Sequence, residues 1–297
     1  MGDTVGATMP TVGRVLLAGV TTVAVAFGTA GAAGAAGAVD QQDRQDRQGV
    51  QVLPPPDDWP EGGTFTVFLC RDDDVWENCR GRATTAEQER VLETRLRAMP
   101  KVTEVEFESR EEAWANFRKQ NAGNKTLLSA LQVEDMPESF RGRLRHWDDI
   151  VPFRSELGKA AGVSTVFSFG DFFWEDKADV TVTLCGHKKT VYACKGRGSA
   201  TLEEKKAIEA RLGTLEESQN LYFENRAHAR RVFGHVWAVK SLGSGVPESR
   251  FPESYHAKLV DPGRAKTVID AVKGMAGVYE AAMVGDGRSA PVTVGTR

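Results

Sequence analysis

The sequence predicts an α+β protein built of two tandem ferredoxin-like split βαβ domains, each with a small helical insertion. Three observations predict it. The stretch Phe107-Glu108-Ser109-Arg110-Glu111-Glu112-Ala113-Trp114-Ala115-Asn116-Phe117 returns as Phe223-Glu224-Asn225-Arg226-Ala227-His228-Ala229-Arg230-Arg231-Val232-Phe233. Cys70 and Cys79 are answered by Cys185 and Cys194, Pro137-Glu138-Ser139-Phe140 by Pro252-Glu253-Ser254-Tyr255, and Gly162-Val163 by Gly277-Val278, all at an offset near 115. A fixed offset shared by separate blocks is the signature of an internal repeat. Thirdly, each half reads β-α-β, a helical insertion, then β-α-β, which folds as sheet and helices in two layers over one core.

Before the repeat come two segments of different character. In residues 1–38, Arg14 precedes the apolar run Val15 to Ala30, and Ala36-Gly37-Ala38 forms an A-x-A-like site, so a cleaved signal peptide is expected. A retained membrane anchor is the alternative, although the second half of the run is mostly Ala and Gly. Either exports the rest. Residues 39–63 read as a disordered linker, because Asp40 to Gln48 is polar and of low complexity and Pro54-Pro55-Pro56 stiffens its end. Structure is expected from about Thr64.

The first copy, residues 64–169, opens with the alternating strand Thr64 to Leu69. Thr85, with Gln88 three residues on, caps a helix carrying Val91, Leu92 and Leu96, which Met99-Pro100 stops. Val102 to Phe107 alternates as a second strand. Ser109 caps a helix to about Gln120, and Leu127, Leu128 and Leu131 suggest a short one. Phe140 to Leu144, a helix from Asp148 to Lys159 and the strand Val163 to Phe169 complete the copy. Gly170 to Lys177 links the copies and carries Phe172, Phe173 and Trp174, which should pack between or against them. The second copy, residues 178–285, repeats the order: strand Asp179 to Leu184, helix Thr201 to Leu212, strand Asn220 to Phe223, helix Asn225 to Phe233, strand Tyr255 to Leu259, helix Pro262 to Lys273, strand Val278 to Met283. Residues 286–297 read as a tail.

The composition excludes some functions. Net charge is −3 in 297 residues, with no basic stripe or nucleic-acid motif, so no nucleic-acid partner is expected. The four cysteines form two equal local pairs on an exported chain, which predicts the disulfides Cys70–Cys79 and Cys185–Cys194. A zinc site is the weaker alternative, because C-x-x-C knuckles are absent, and free thiols are another. No cofactor or metal is expected. His146, His187, His228, His235 and His256 show no H-E-x-x-H and read as surface or edge histidines. Ser139 and Ser254 read as turn residues, not nucleophiles. Gly243-Ser244-Gly245 is no phosphate loop. Glu108 with Arg110, and Glu224 with Arg226, read as charges suited to a helix start. No active site emerges, and the chain is not expected to be an enzyme. The aromatic helices admit two readings. Trp114, Phe117, Leu127, Leu128 and Leu131, with Phe233, Val236, Trp237 and Leu242 in the second copy, either fill small cores or form an apolar groove for a partner helix.

The combination of Leu69-Cys70, the following Cys79, Ala83-Thr84-Thr85-Ala86-Glu87-Gln88, Phe107 to Trp114 and Met136-Pro137-Glu138-Ser139-Phe140-Arg141 resembles the extracytoplasmic domain of FtsX, the permease-like cell-division protein that partners the ATPase FtsE. The first copy matches at every block; the second drifts, with Tyr255 for Phe and His228 for Glu. FtsX has four membrane helices and this chain at most one, so no coupling to FtsE is expected. The resemblance implies a non-catalytic module that recruits or regulates a peptidoglycan hydrolase or other envelope protein. It implies binding by the helical lobe: Trp114, Phe117, Leu127, Leu128 and Leu131, then Phe233 and Trp237. The alternative is a structural or self-associating envelope protein. The expected location is outside the cytoplasm, secreted or anchored to the outer face of the membrane.

Overall fold

The structure is a computed structural model that describes residues 51–187, 190, 192, 194, 197–238 and 246–285. The signal or anchor in 1–38, the linker up to residue 50, Leu242, Gly243-Ser244-Gly245 and the tail 286–297 lie outside the described residues.

The first copy runs β2 (Gly63–Leu69), α1 (Ala86–Ala98), β3 (Val102–Glu108), α2 (Arg110–Gln120), α3 (Lys125–Ser129), β4 (Ser139–Leu144), α4 (Ile150–Leu157) and β5 (Val163–Gly170). Its four strands lie in the order β3-β4-β2-β5, every neighbour antiparallel. This is the split βαβ arrangement: β2 and β3 flank β4, which returns later in the chain. The second copy repeats it with β6 (Val180–Leu184), α5 (Leu202–Gly213), β7 (Ser218–Glu224), α6 (Arg226–Val236), β8 (Ser254–Leu259), α7 (Ala265–Val272) and β9 (Val278–Met283), in the sheet order β7-β8-β6-β9. Even the irregularity at the start of β3, between Val102 and Glu104, recurs between Ser218 and Asn220.

Local chemistry accounts for the elements. Thr85 and Gln88, Ser109 and Glu112, and Thr201 and Glu204 form reciprocal capping boxes at three helix starts, each satisfying two backbone N–H groups that a helix leaves unpaired. Alternation in β2 sends Phe65, Val67 and Leu69 into the core, where they meet Leu92 and Leu96 of α1 and Ile150, Phe153 and Leu157 of α4. The second core is built alike from Val180, Val182 and Leu184 with Ile208, Leu212, Val268 and Val272. The two cores use one volume differently. Phe65 faces Gly142 across the ladder, and a Cβ on Gly142 would run into the Phe65 ring and the Glu104 carbonyl. In the second copy the facing pair is Val180 and Ala257. A smaller residue on one strand leaves room for a larger one on the next.

Each cysteine pair is a disulfide, Cys70–Cys79 and Cys185–Cys194, closing the loop after the first strand of its copy. The linker aromatics pack as expected. Phe173 and Trp174 are fully buried and join Val232 of α6 in a third cluster, with Trp59, Phe172 and Tyr222 against it.

The reading of residues 39–63 as disordered is corrected over its described part. Val52–Leu53 forms β1, which pairs in parallel with β7 and adds a fifth strand to the second sheet. Val52 packs on the second core, and the Trp59 ring lies 4.5 Å from that of Phe173. An aliphatic pair and a Trp gain more from burial than a polar spacer would, so the segment docks.

Candidate functional site

The lobe inserted between β3 and β4 is built from α2 and α3. Ser109 caps the first and the Asn124 side chain caps the second through the Leu127 N–H. The helical spacing of Trp114 and Phe117 stacks their rings at 5.9 Å with 14° between planes, and the Arg118 guanidinium lies 6.0 Å over the Trp114 ring. Leu127, Leu128 and Leu131 are half-buried, as are Trp114 and Phe117. Leu131 lies beyond the end of α3. Neither α2 nor α3 has a buried residue, and none of these five side chains joins the core of the copy.

The equivalent helix of the second copy is placed differently. On α6, Val232, Phe233 and Gly234 are buried. Phe233 packs against Phe251 and Trp237, and Trp237 meets Phe169 of the first copy edge-on at 5.1 Å. Ala238 is part of the first copy's core. Trp147 of the first copy stacks on His235 and its Nε1–H donates to the His235 carbonyl at 2.7 Å. The candidate residues therefore divide: Trp114, Phe117, Leu127 and Leu128 lie half-buried on the lobe helices α2 and α3, whereas Phe233 and Trp237 are engaged by other parts of the chain.

A second constellation corrects two readings. Glu108 and Glu224, expected as helix-start charges, are buried carboxylates, 6% and 5% exposed. Each is the last residue of its strand, and each takes one donor from the helix that follows it. Glu108 accepts from Asn116 Nδ2 at 2.8 Å and Ser139 Oγ at 3.1 Å, and pairs with Arg141 at 2.6 Å. Glu224 accepts from Trp174 Nε1 at 3.0 Å and meets His228 Nδ1 at 2.7 Å and His256 Nε2 at 3.1 Å. His256 takes the place of Arg141: the two lie opposite Tyr222 and Glu106 in equivalent registers. His256 is no surface histidine. It is 2% exposed, and the Trp174 ring stacks on it at 3.7 Å.

The electrostatics follow from the burial. Desolvation pushes the Glu224 carboxyl up, but the His256 ring and the hydrogen bonds from His228 and His256 outweigh it and hold the group at about 2. Burial pushes His256 down despite Glu224, so the ring is neutral at pH 7. A neutral ring facing a carboxylate through Nε2 carries its proton there, which leaves Nδ1 to accept from Thr181 Oγ1 at 3.1 Å. A buried anion is thus held by N–H donors and walled off by Trp174 and Phe173, an arrangement suited to bracing the copy against the linker. The group Cys70, Asp74 and Cys79 lies close enough to suggest a metal, but both sulfurs are spent in the disulfide.

Sequence reasoning passed over Trp59, His228 and His256 as parts of this cluster. The available signals were a Trp inside a polar, proline-rich spacer and a Glu kept before the helix cap in both copies. Among the described residues no helix is long and apolar enough to cross a membrane.

The profile described as the FtsX extracellular domain matches residues 64–172 and again residues 177–286. Among solved structures, a crystal structure of extracellular domain 1 of FtsX from Streptococcus pneumoniae, in complex with undecyl-maltoside, is 17% identical and covers 39% of this chain and 99% of its own, at a TM-score of 0.27. A solution structure of the large extracellular loop of FtsX from the same organism is 18% identical and covers 35% and 97%, at 0.28. No curated protein matches the sequence. With two tandem matches spanning most of its length, the chain belongs to the FtsX extracellular domain family.

Proposed function

We propose that this protein is a non-catalytic binding module of the cell envelope, exposed outside the cytoplasm, and that the α2–α3 lobe of the first copy docks a partner such as a peptidoglycan hydrolase. The observation that carries the reading is the contrast between equivalent helices. α6 buries its apolar face within the chain, whereas α2 and α3 carry Trp114, Phe117, Leu127 and Leu128 with no buried residue. Stacked aromatics on a half-exposed helix are the usual anchors of a helix-in-groove or hot-spot contact. Leu131, half-buried just past α3, is assigned to the same lobe. The disulfides and the family's extracellular description support an oxidising location.

The test is a photo-crosslinking residue placed at Lys119, beside the Trp114–Phe117 face, in cells that make the full chain. One discrete adduct with an envelope hydrolase is expected, lost when Trp114→Ala and Phe117→Ala are combined. The double substitution should leave the unfolding free energy from urea titration within about 1 kcal/mol of the parent, because half-exposed side chains contribute little to the fold. An adduct that persists in the double variant overturns the reading. A homotypic adduct, with a dimer seen by light scattering, replaces it with self-association.

A further inference from the structure

The two sheets are alike to the residue, yet one of their edges is treated differently. In the second copy the outer edge of β7 is covered: Val52 lies opposite Leu221 and Leu53 opposite Tyr222 in a parallel pair. The ladder with the next strand fixes the equivalence. Val105 faces Gly142 and Glu106 faces Arg141, as Leu221 faces Ala257 and Tyr222 faces His256. Val105 and Glu106 are therefore the first-copy counterparts of the residues that β1 covers. No strand pairs with the outer edge of β3 among the described residues.

An uncovered edge presents unpaired N–H and C=O groups, and the side chains beside it define what it accepts. On the helix side, Val105 packs on the core and Phe107 remains partly exposed beside Phe140. This is the slot that Val52 fills in the second copy. On the other face Glu104 and Glu106 are exposed. The arginines opposite them in register, Arg143 and Arg141, are taken by Asp171 and Glu108. Neither Glu104 nor Glu106 has an ion-pair partner among the described residues. Acidic side chains on an edge repel acidic or purely apolar strands and leave a basic one admissible.

We propose that the β3 edge of the first copy receives an extended segment of a protein partner as a fifth strand, parallel to β3. The segment reads basic, aliphatic, basic opposite Glu104, Val105 and Glu106, with a further apolar residue toward Phe107. The aliphatic residue takes the position that Val52 holds against the other sheet. The two basic residues supply the charges that β4 has committed elsewhere. This surface is separate from the α2–α3 face, and it stands whether or not that face docks a hydrolase.

The test uses the full chain and a blocked peptide of sequence Gly-Lys-Val-Lys-Val-Gly as the probe. Amide resonances and hydrogen exchange are followed at residues 104–107 and 221–222. Binding is expected to shift and protect the amides of residues 104–107 and to weaken as salt is raised. Reversing both charges, Glu104→Lys with Glu106→Lys, is expected to weaken it at least tenfold. The same peptide with Glu in place of Lys is expected not to bind. A Glu104→Gln, Glu106→Gln variant guards against loss of fold and should weaken binding without changing the spectrum elsewhere. Absence of any response at residues 104–107 in the folded protein overturns the proposal. So does a response confined to residues 221–222, which would mean displacement of β1. Affinity that survives charge reversal overturns the basic pattern. A concentration-dependent dimer of the free chain with protected β3 amides assigns the edge to a second copy instead.

Discussion

The same buried glutamate is satisfied in two ways, and the contrast shows how a repeat diverges. In the first copy Glu108 is held by Arg141, a permanently charged group that is 45% exposed and still touches water. In the second, Glu224 is held by His228, His256 and Trp174, all withdrawn from solvent. One anion is balanced by an opposite charge at the rim, the other by oriented donors inside. The first needs nothing beyond its own copy. The second needs the linker, since Trp174 is one of its donors, and that dependence ties the second copy to the segment joining it to the first.

The contrast is sharpest if the glutamates are removed. Glu224→Ala leaves three buried N–H groups without an acceptor and is expected to cost about 3–5 kcal/mol. Glu108→Ala frees an arginine that water can solvate and is expected to cost about 1–2 kcal/mol. Urea unfolding of the two variants checks this, and equal losses would break the comparison. An intermediate effect is expected from exchanging the core solutions. Gly142→Ala forces a methyl against Phe65 and the Glu104 carbonyl and should cost about 2–3 kcal/mol. Adding Phe65→Val, the second copy's choice, should recover about 1 kcal/mol of that in a double-mutant cycle. Strict additivity would show that the two positions do not share the volume.

The smallest effect per step is the response to acid, which should belong to the second copy. Burial lowers the folded pKa of His256, and of His235 despite the Asp171 carboxylate. Unfolded histidine titrates near 6.5, so below pH 7 the unfolded chain takes up protons that the folded chain refuses. Stability therefore falls as pH drops from 7 toward 5, by at most about 1.4 kcal/mol per pH unit for each histidine. Glu224, held at about 2, acts later: its contribution is full above the ordinary carboxylate pKa and is lost as pH falls toward 2. Urea midpoints at pH 7, 6 and 5 should show a shallower fall in His256→Gln, whose amide can still donate to Glu224. An unchanged slope would move the effect to other groups.

Much of this was legible from residue order. Strand alternation, capping pairs and a constant offset are local signals, and the two disulfides follow from equal spacing. The lobe aromatics were found by helical spacing, but the fate of each lobe was not. Phe233 and Trp237 are occupied by Phe251 and Phe169, which come from other elements. The burial of Glu224 was hidden for the same reason: its donors arrive from α6, β8 and the linker. β1 escaped notice because two residues are too few for a periodic pattern, and its partner lies in the other copy.

That last pairing has a temporal consequence. β1 opens the described chain, but β7 comes only after the whole first copy. Domains form as units while the chain emerges from its N-terminus. The first copy holds all four of its strands before β7 has been made, so it closes alone. Residues 51–59 must wait beside a finished domain until the second arrives. Their docking is therefore the last joint to set, a latch that fastens only on a chain carried through to its second half.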